Sequence, residues 1–122
     1  QPILDSNSTW DVMGDMLIVA NQTTLMAVDL SNPSQAKVTL EVNEPEHIEI
    51  ITDDCFAILE DGTLTYWDYE GVQRVGPNPQ QGDSVIVFES FNGQIALVFE
   101  SDPDTVHLGI VDGMGLISIE IT

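Results

Sequence analysis

Short apolar runs separated by turn-forming residues recur along the whole chain, and this pattern predicts β-strands. Met16–Ala20 is apolar throughout, and so is Cys55–Leu59, which begins 39 positions later. The same spacing relates two further pairs of residues, Leu25 with Leu64 and Asp29 with Asp68. A third run, Ile95–Phe99, follows a longer loop. The chain is therefore predicted to use a repeat of about forty residues three times.

Each repeat contains four candidate strands, because Gly, Pro, Asn, Asp and Ser recur where the extended runs stop. The first repeat predicts strands at Thr9–Met13, Met16–Ala20, Thr24–Asp29 and Lys37–Val42. The second predicts His47–Thr52, Cys55–Leu59, Thr63–Asp68 and Val72–Val75, and the third predicts Ser84–Glu89, Gln94–Glu100, Thr105–Val111 and Leu116–Ile121. Asp61-Gly62 is a strong hairpin signal, and Asn92-Gly93 and Asp102-Pro103-Asp104 are interpreted as turns. No helix is predicted.

The second and fourth strands of each repeat differ in their pattern. Second strands are apolar at nearly every position, which predicts a sheet that is covered on both faces. Fourth strands alternate, as Val38 and Leu40 do with Thr39 and Glu41, and are therefore expected to be half-buried. Sheets stacked around an axis would have this gradient from inner to outer strands.

The first repeat reads Asp15-Met16-Leu17-Ile18-Val19-Ala20 and then Leu25-Met26-Ala27-Val28-Asp29-Leu30-Ser31-Asn32-Pro33. It resembles a blade of the LVIVD and YVTN class of β-propeller repeats, in which "yVA…gL.viDvsnP" marks the second and third strands. The second repeat matches this pattern in part, and the third lacks a Ser-Asn-Pro turn after Asp112. The resemblance implies a fold of blades and no particular function, because propellers serve as enzymes, lectins and scaffolds.

These patterns predict an all-β chain of three four-stranded antiparallel blade-like repeats, a partial β-propeller. It is expected to be a single domain over 1–122, with repeats at about 9–46, 47–83 and 84–122. A β-trefoil and a β-prism also use three four-stranded units, and both remain alternatives. A monocot-type β-prism lectin would carry a Gln-x-Asp-x-Asn-x-Val-x-Tyr sugar motif, which the sequence lacks.

The charge of the chain restricts its partners. Asp and Glu number 21 against only Lys37 and Arg74, so the formal net charge is −19. Such a chain repels phosphate and has no cluster of cations to release counterions, which excludes nucleic acid and anionic membrane surfaces as direct partners. No run approaches the roughly 20 apolar residues of a membrane span, so no membrane insertion is expected.

Several features favour an extracellular or cell-surface location. Asn7 and Asn21 begin N-x-Thr sequons and are candidate glycosylation sites. Because the sequence begins at Gln1, we expect either a cleaved leader or a piece of a longer chain.

Cys55 is the only cysteine, which excludes a disulfide within the chain, and its apolar surroundings predict a buried small hydrophobe.

Three blades are too few to close a propeller, which typically needs four to eight. Each end blade would leave a face of about 400 Å² uncovered, so the expected partner is another copy of the chain in a closed ring or a larger assembly. The candidate self-association residues are Trp10, Val12, Ile110, Leu116, Ile117, Ile119 and Ile121. Alternatively, the chain is a fragment or subunit of a larger hetero-propeller that draws its missing blades from a different protein.

A sugar- or calcium-binding, lectin-like module is a further alternative. Tyr66, Trp67 and Tyr69 offer a sugar platform but are interpreted as core residues. The turn acids Asp53-Asp54 and Asp102-Pro103-Asp104 match no known calcium loop. No cofactor is expected apart from this candidate calcium. His47 and His107 lie sixty positions apart with no nucleophile motif, so the chain is interpreted as non-catalytic.

Overall fold

The computed structural model describes residues 8–76, 84–100, 102–110 and 117–120, which form three four-stranded sheets. Blade 1 consists of β1 (Thr9–Met13), β2 (Met16–Ala20), β3 (Thr24–Asp29) and β4 (Ala36–Glu41). Blade 2 consists of β5 (His47–Thr52), β6 (Cys55–Glu60), β7 (Thr63–Trp67) and β8 (Gln73–Arg74). Blade 3 consists of β9 (Val85–Phe91), β10 (Gln94–Phe99), β11 (Asp102–Ile110) and β12 (Ile117–Glu120). In every blade, sequential strands pair antiparallel in chain order.

The prediction of an all-β chain with three four-stranded antiparallel repeats is confirmed. The described ranges contain no helix, and hence none long and apolar enough to cross a membrane. Tight turns join neighbouring strands where the sequence signals them. Asp61 and Gly62 have φ of 49° and 77°, and Asn92 and Gly93 have φ of 48° and 76°. These are left-handed conformations, which a type I′ hairpin requires at both central residues.

One turn was placed wrongly from the sequence. Asp102-Pro103-Asp104, interpreted as a turn, belongs to β11, which begins at Asp102. The physical reason is a register shift in β10, where Phe99 pairs directly with Asp102. The last strand of blade 2 is also shorter than expected, with only Gln73–Arg74 paired to β7.

The core lies in two apolar layers between consecutive blades. Ile18, Ala20, Leu25 and Ala27 of blade 1 pack against Ile48, Ile50, Phe56, Ile58 and Tyr69 of blade 2. The opposite face of blade 2, with Ile51, Cys55, Ala57, Leu59, Leu64 and Tyr66, packs against Val85, Phe88, Ile95, Leu97 and Phe99 of blade 3. The blades therefore stack in chain order, with blade 2 in the middle.

Burial of the second strands follows this stacking. The first five residues of β6 are all buried, because blade 2 has a neighbour on each side. In β10 buried and half-buried residues alternate, because one face of blade 3 is not covered by another blade. Within the single chain only blade 2 has a blade on both faces, as expected for a stack of three, and β12, expected to be half-buried, is exposed at all four positions.

Candidate functional site

An acidic residue occupies the middle of the first strand in every blade. Asp11, Glu49 and Glu89 each pair with the third residue of the second strand in their own blade, namely Ile18, Ala57 and Ala96. The three acids are therefore structurally equivalent positions of the repeat. We call Asp11, Glu49 and Glu89 the inter-blade carboxylates.

The first inter-blade carboxylate joins blade 1 to blade 2. Oδ2 of Asp11 accepts a hydrogen bond from the backbone N–H of Ile50 at 2.8 Å, in a half-buried position. Ile50 directly follows Glu49, the equivalent acid of the next blade. A charged acceptor makes this a stronger bond than a neutral one would be.

The second inter-blade carboxylate repeats this contact between blade 2 and blade 3. Oε1 of Glu49 accepts the backbone N–H of Ser90 at 2.5 Å and its hydroxyl at 2.6 Å. Ser90 directly follows Glu89, as Ile50 follows Glu49. Each carboxylate thus bonds the N–H of the residue that comes after the equivalent acid of the following blade.

Glu49 also holds His47, which lies two residues before it on the same strand. The imidazole Nε2 is 2.9 Å from Oε2 of Glu49, and the ring packs edge-on against Phe88 with centroids 4.9 Å apart. The hydrogen bond to Glu49 raises the pKa of His47 above its usual value, although partial burial opposes this. Burial alone would raise the pKa of Glu49, but the hydrogen bonds from His47 and Ser90 together hold it below its usual value.

His47, Glu49 and Glu89 place three ligand atoms within 4.8 Å of one another, the only such group in the described ranges. One imidazole and two carboxylates are ligands that a divalent transition metal accepts. The carboxylate of Glu49 is already engaged without a metal, however, because it is bonded to His47 and Ser90. Sequence reasoning missed this group, although the signal is a His-x-Glu pair in one first strand and a Glu at the equivalent position of the next.

The structure places the described self-association candidates on the two outward faces of the stack. Trp10 and Val12 are 58% and 44% exposed, whereas the equivalent residues of blade 2, Ile48 and Ile50, are 0% and 3% exposed. Ile110, Ile117 and Ile119, at the other end, are 51%, 69% and 48% exposed. Leu116 and Ile121 lie outside the described residues.

Strand register defines these two surfaces, because directly paired residues of neighbouring strands point to the same face. The first end face, opposite the side of blade 1 that meets blade 2, consists of Trp10, Val12, Leu17, Val19, Met26 and Val28. The last end face, opposite the side of blade 3 that meets blade 2, consists of Val87, Glu89, Phe91, Ala96, Val98, Val106, Leu108, Ile110, Ile117 and Ile119. Sequence reasoning missed the exposed Val87 and Phe91, because their face is set by the register of β9 with β10.

The aromatic and histidine candidates from the sequence pack against or bond to other residues of the chain. Tyr66 and Tyr69 are buried in the two core layers, and the half-buried Trp67 donates its indole N–H to Thr65 at 3.0 Å. Two of the three aromatic rings therefore cannot face a sugar. His107 stacks on Phe99, with ring centroids 4.1 Å apart, and is not grouped with His47.

The candidate calcium and glycosylation residues lie in turns, at the start of β11 or beyond the described ranges. Oδ1 of Asp54 accepts the hydroxyl of Thr52 at 2.6 Å, and its other oxygen is 4.0 Å from Arg74. The carbonyl oxygen of the Asn21 side chain accepts the backbone N–H groups of Thr23 and Thr24, both at 2.9 Å. Asn7 lies outside the described residues.

Comparison with solved structures shows the fold. The chain is similar to the computationally designed Ika4 protein, with 11% identity and a TM-score of 0.60 over 93% of this chain and 90% of that one. It is also similar to the N-terminal domain of Nup159, with 17% identity and a TM-score of 0.57 over 91% of this chain and 30% of that one. The designed Ika8 protein matches at 12% identity and a TM-score of 0.55, over 93% of this chain and 45% of that one. These neighbours are propeller-type proteins, and with the three four-stranded sheets they confirm a partial β-propeller.

No protein-family model matches the sequence, and no curated protein matches it significantly. The resemblance of the first repeat to the LVIVD and YVTN class therefore stays a prediction.

Proposed function

We propose that this protein is a non-catalytic interaction module that associates with copies of itself, so that blades of several chains form a closed ring or a larger assembly. One observation carries the proposal. Positions that are fully buried where two blades meet within the chain, such as Ile48, are exposed and apolar where the stack ends, as at Trp10. The uncovered face of an end blade is therefore as apolar as a face that a neighbouring blade covers.

The area involved fits a specific contact. A blade of four short strands has a face of about 400 Å², so a ring of two chains with two equivalent contacts would bury roughly 1,600 Å². This is the size of a typical stable protein–protein interface. Six blades also fall within the number at which propellers close.

The other parts of the proposal rest on charge and on sequons. A formal charge of −19 favours a protein partner over nucleic acid or an anionic membrane surface. The sequons at Asn7 and Asn21 support an extracellular or cell-surface location. A non-catalytic role is supported by His47 and Glu49, whose polar atoms bond each other and the neighbouring blade.

Sedimentation equilibrium of the purified chain across micromolar concentrations tests self-association. A closed ring predicts one discrete dimer mass, whereas an open assembly predicts a mass that keeps rising with concentration. A compact monomer throughout this range would overturn self-association. That result would favour the alternative, in which the chain is a fragment or subunit of a larger hetero-propeller.

A further inference from the structure

The third inter-blade carboxylate has no following blade within the described part of the chain. Asp11 reaches blade 2 and Glu49 reaches blade 3, but Glu89 lies on the last end face and is exposed. One of its oxygens is within 4.8 Å of the ligand atoms of His47 and Glu49, so the carboxylate sits at the edge of that face along β9. Among the described residues, the last end face therefore presents a charged acceptor without the backbone donor that its two equivalents have.

The matching donor lies at the opposite end of the stack. Val12 directly follows Asp11, just as Ile50 follows Glu49 and Ser90 follows Glu89. Met13 pairs with Met16 across a two-residue turn, so the alternation of an antiparallel ladder directs the N–H of Val12 away from β2. In the described ranges β1 is an edge strand, with no strand paired on that side.

The geometry points to a head-to-tail contact in which Glu89 of one copy accepts a hydrogen bond from the backbone N–H of Val12 in a second copy. This inference rests on the proposed self-association and adds its orientation and register. The contact repeats the rule that Asp11 with Ile50 and Glu49 with Ser90 follow inside the chain. It also places Trp10 and Val12 of the second copy against the last end face, in the way that Ile48 and Ile50 pack against blade 1 within the chain.

A second copy fits this surface because it carries both halves of the contact. The acceptor and the apolar last end face are on blade 3, and the donor and the apolar first end face are on blade 1. A contact between different faces of identical chains closes into a ring or continues as a filament. A displacement of one residue along β1, about 3.3 Å, would separate Glu89 from the N–H of Val12.

Sedimentation equilibrium of Glu89→Ala, Glu89→Gln and Glu120→Ala beside the wild type tests the contact. Glu120 is a matched control, since it is an exposed acid of the same blade on the opposite side of β12 from Ile117 and Ile119. We expect Glu89→Ala to raise the dissociation constant about 10- to 100-fold, as expected for loss of a charged hydrogen bond. Glu89→Gln keeps a neutral acceptor and should have a smaller effect, while Glu120→Ala should change the constant less than about twofold.

Val12→Pro tests the donor side of the contact, because proline removes the backbone N–H and leaves the β1–β2 ladder bonds intact. Combined with Glu89→Ala, it should weaken association no further than the stronger single change, since both remove one bond. If the wild type associates, and Glu89→Ala associates as tightly as Glu120→Ala, the Glu89 contact is overturned while self-association is not. A wild-type chain that stays monomeric would overturn both.

Discussion

The carboxylate of Asp11 on blade 1 accepts the backbone N–H of Ile50 on blade 2, across a sequence separation of 39 residues and a distance of 2.8 Å. The bond ties the first strands of two blades together at a half-buried point beside the apolar layer that contains Ile50. The repeat uses the same device once more at Glu49 and Ser90. Polar contacts of this kind fix the register of one blade on the next, whereas apolar contact alone is non-directional.

Replacing Asp11 should therefore destabilise the chain. Asp11→Ala removes the acceptor of the half-buried N–H of Ile50. Loss of such a partner is expected to cost about 1–3 kcal/mol of unfolding free energy. Asp11→Asn retains a carbonyl oxygen at the same place and should cost less. Urea unfolding monitored by circular dichroism measures both, and Asp15→Ala, a neighbouring exposed turn acid, is the control. Equal stability of Asp11→Ala and the control would contradict the structural role of this bond.

The end faces should control association without controlling folding. Trp10→Ser and Ile117→Ser replace side chains that are 58% and 69% exposed. Each is therefore expected to change the stability of the isolated chain by less than about 0.5 kcal/mol. Each should weaken self-association at least about tenfold, because buried large apolar groups dominate interface energies. Val72→Ser changes an equally exposed residue of the middle blade and serves as the control in sedimentation equilibrium. Loss of association in the control as well would argue against the end faces.

The ion pair of His47 and Glu49 predicts a window of pH in which blades 2 and 3 hold together best. The raised pKa of His47 gives stability that is fully present below its ordinary value of 6.5 and is lost as the pH rises through the folded value. The lowered pKa of Glu49 gives stability that is present above its ordinary value of 4.5 and is lost as the pH falls through the folded value. The contribution is therefore largest between these two pH values.

The chain carries many other acids, so the test of this window is a difference between variants. Melting temperatures of the wild type and His47→Gln are measured from acid to mildly alkaline pH. Their difference should be largest between pH 4.5 and 6.5 and should shrink on both sides. Because His47 is partly exposed, solvent screens the pair and the difference stays small. A difference that does not vary with pH would show that the ion pair adds nothing.

Salt should strengthen association. Two chains of net charge −19 repel each other. This repulsion reaches farther as salt is removed, because the screening length grows from about 8 Å at physiological ionic strength to about 30 Å at roughly 0.01 M. The dissociation constant measured by sedimentation should therefore rise when salt is lowered. Sodium sulfate and sodium chloride matched for ionic strength separate screening from the added effect of sulfate on apolar contacts. A constant that is independent of ionic strength would contradict the role of screening.

Local pattern was enough to place most strands. The bounds of β1, β2 and β3 agree with the expected ones, because apolar runs and turn residues such as Gly14 are properties of neighbouring positions. The start of β11 was misplaced, since its first residue is determined by pairing with Phe99 of β10. The group of His47, Glu49 and Glu89 was missed for a related reason, because two first strands from different blades bring it together.

Residue spacing and composition alone were sufficient to establish the forty-residue repeat, the strands within it, the acidic surface and the apolar character of both sides of each sheet. These properties need no distant partner. The packing of the blades was needed to show that blade 2 is covered on both faces and each end blade on one face. It also showed that Asp11 and Glu49 accept an N–H group of the next blade, whereas Glu89 is exposed and has no such partner among the described residues. A strand's pattern specifies that a face must be covered, but what covers it is a contact between residues far apart in the chain.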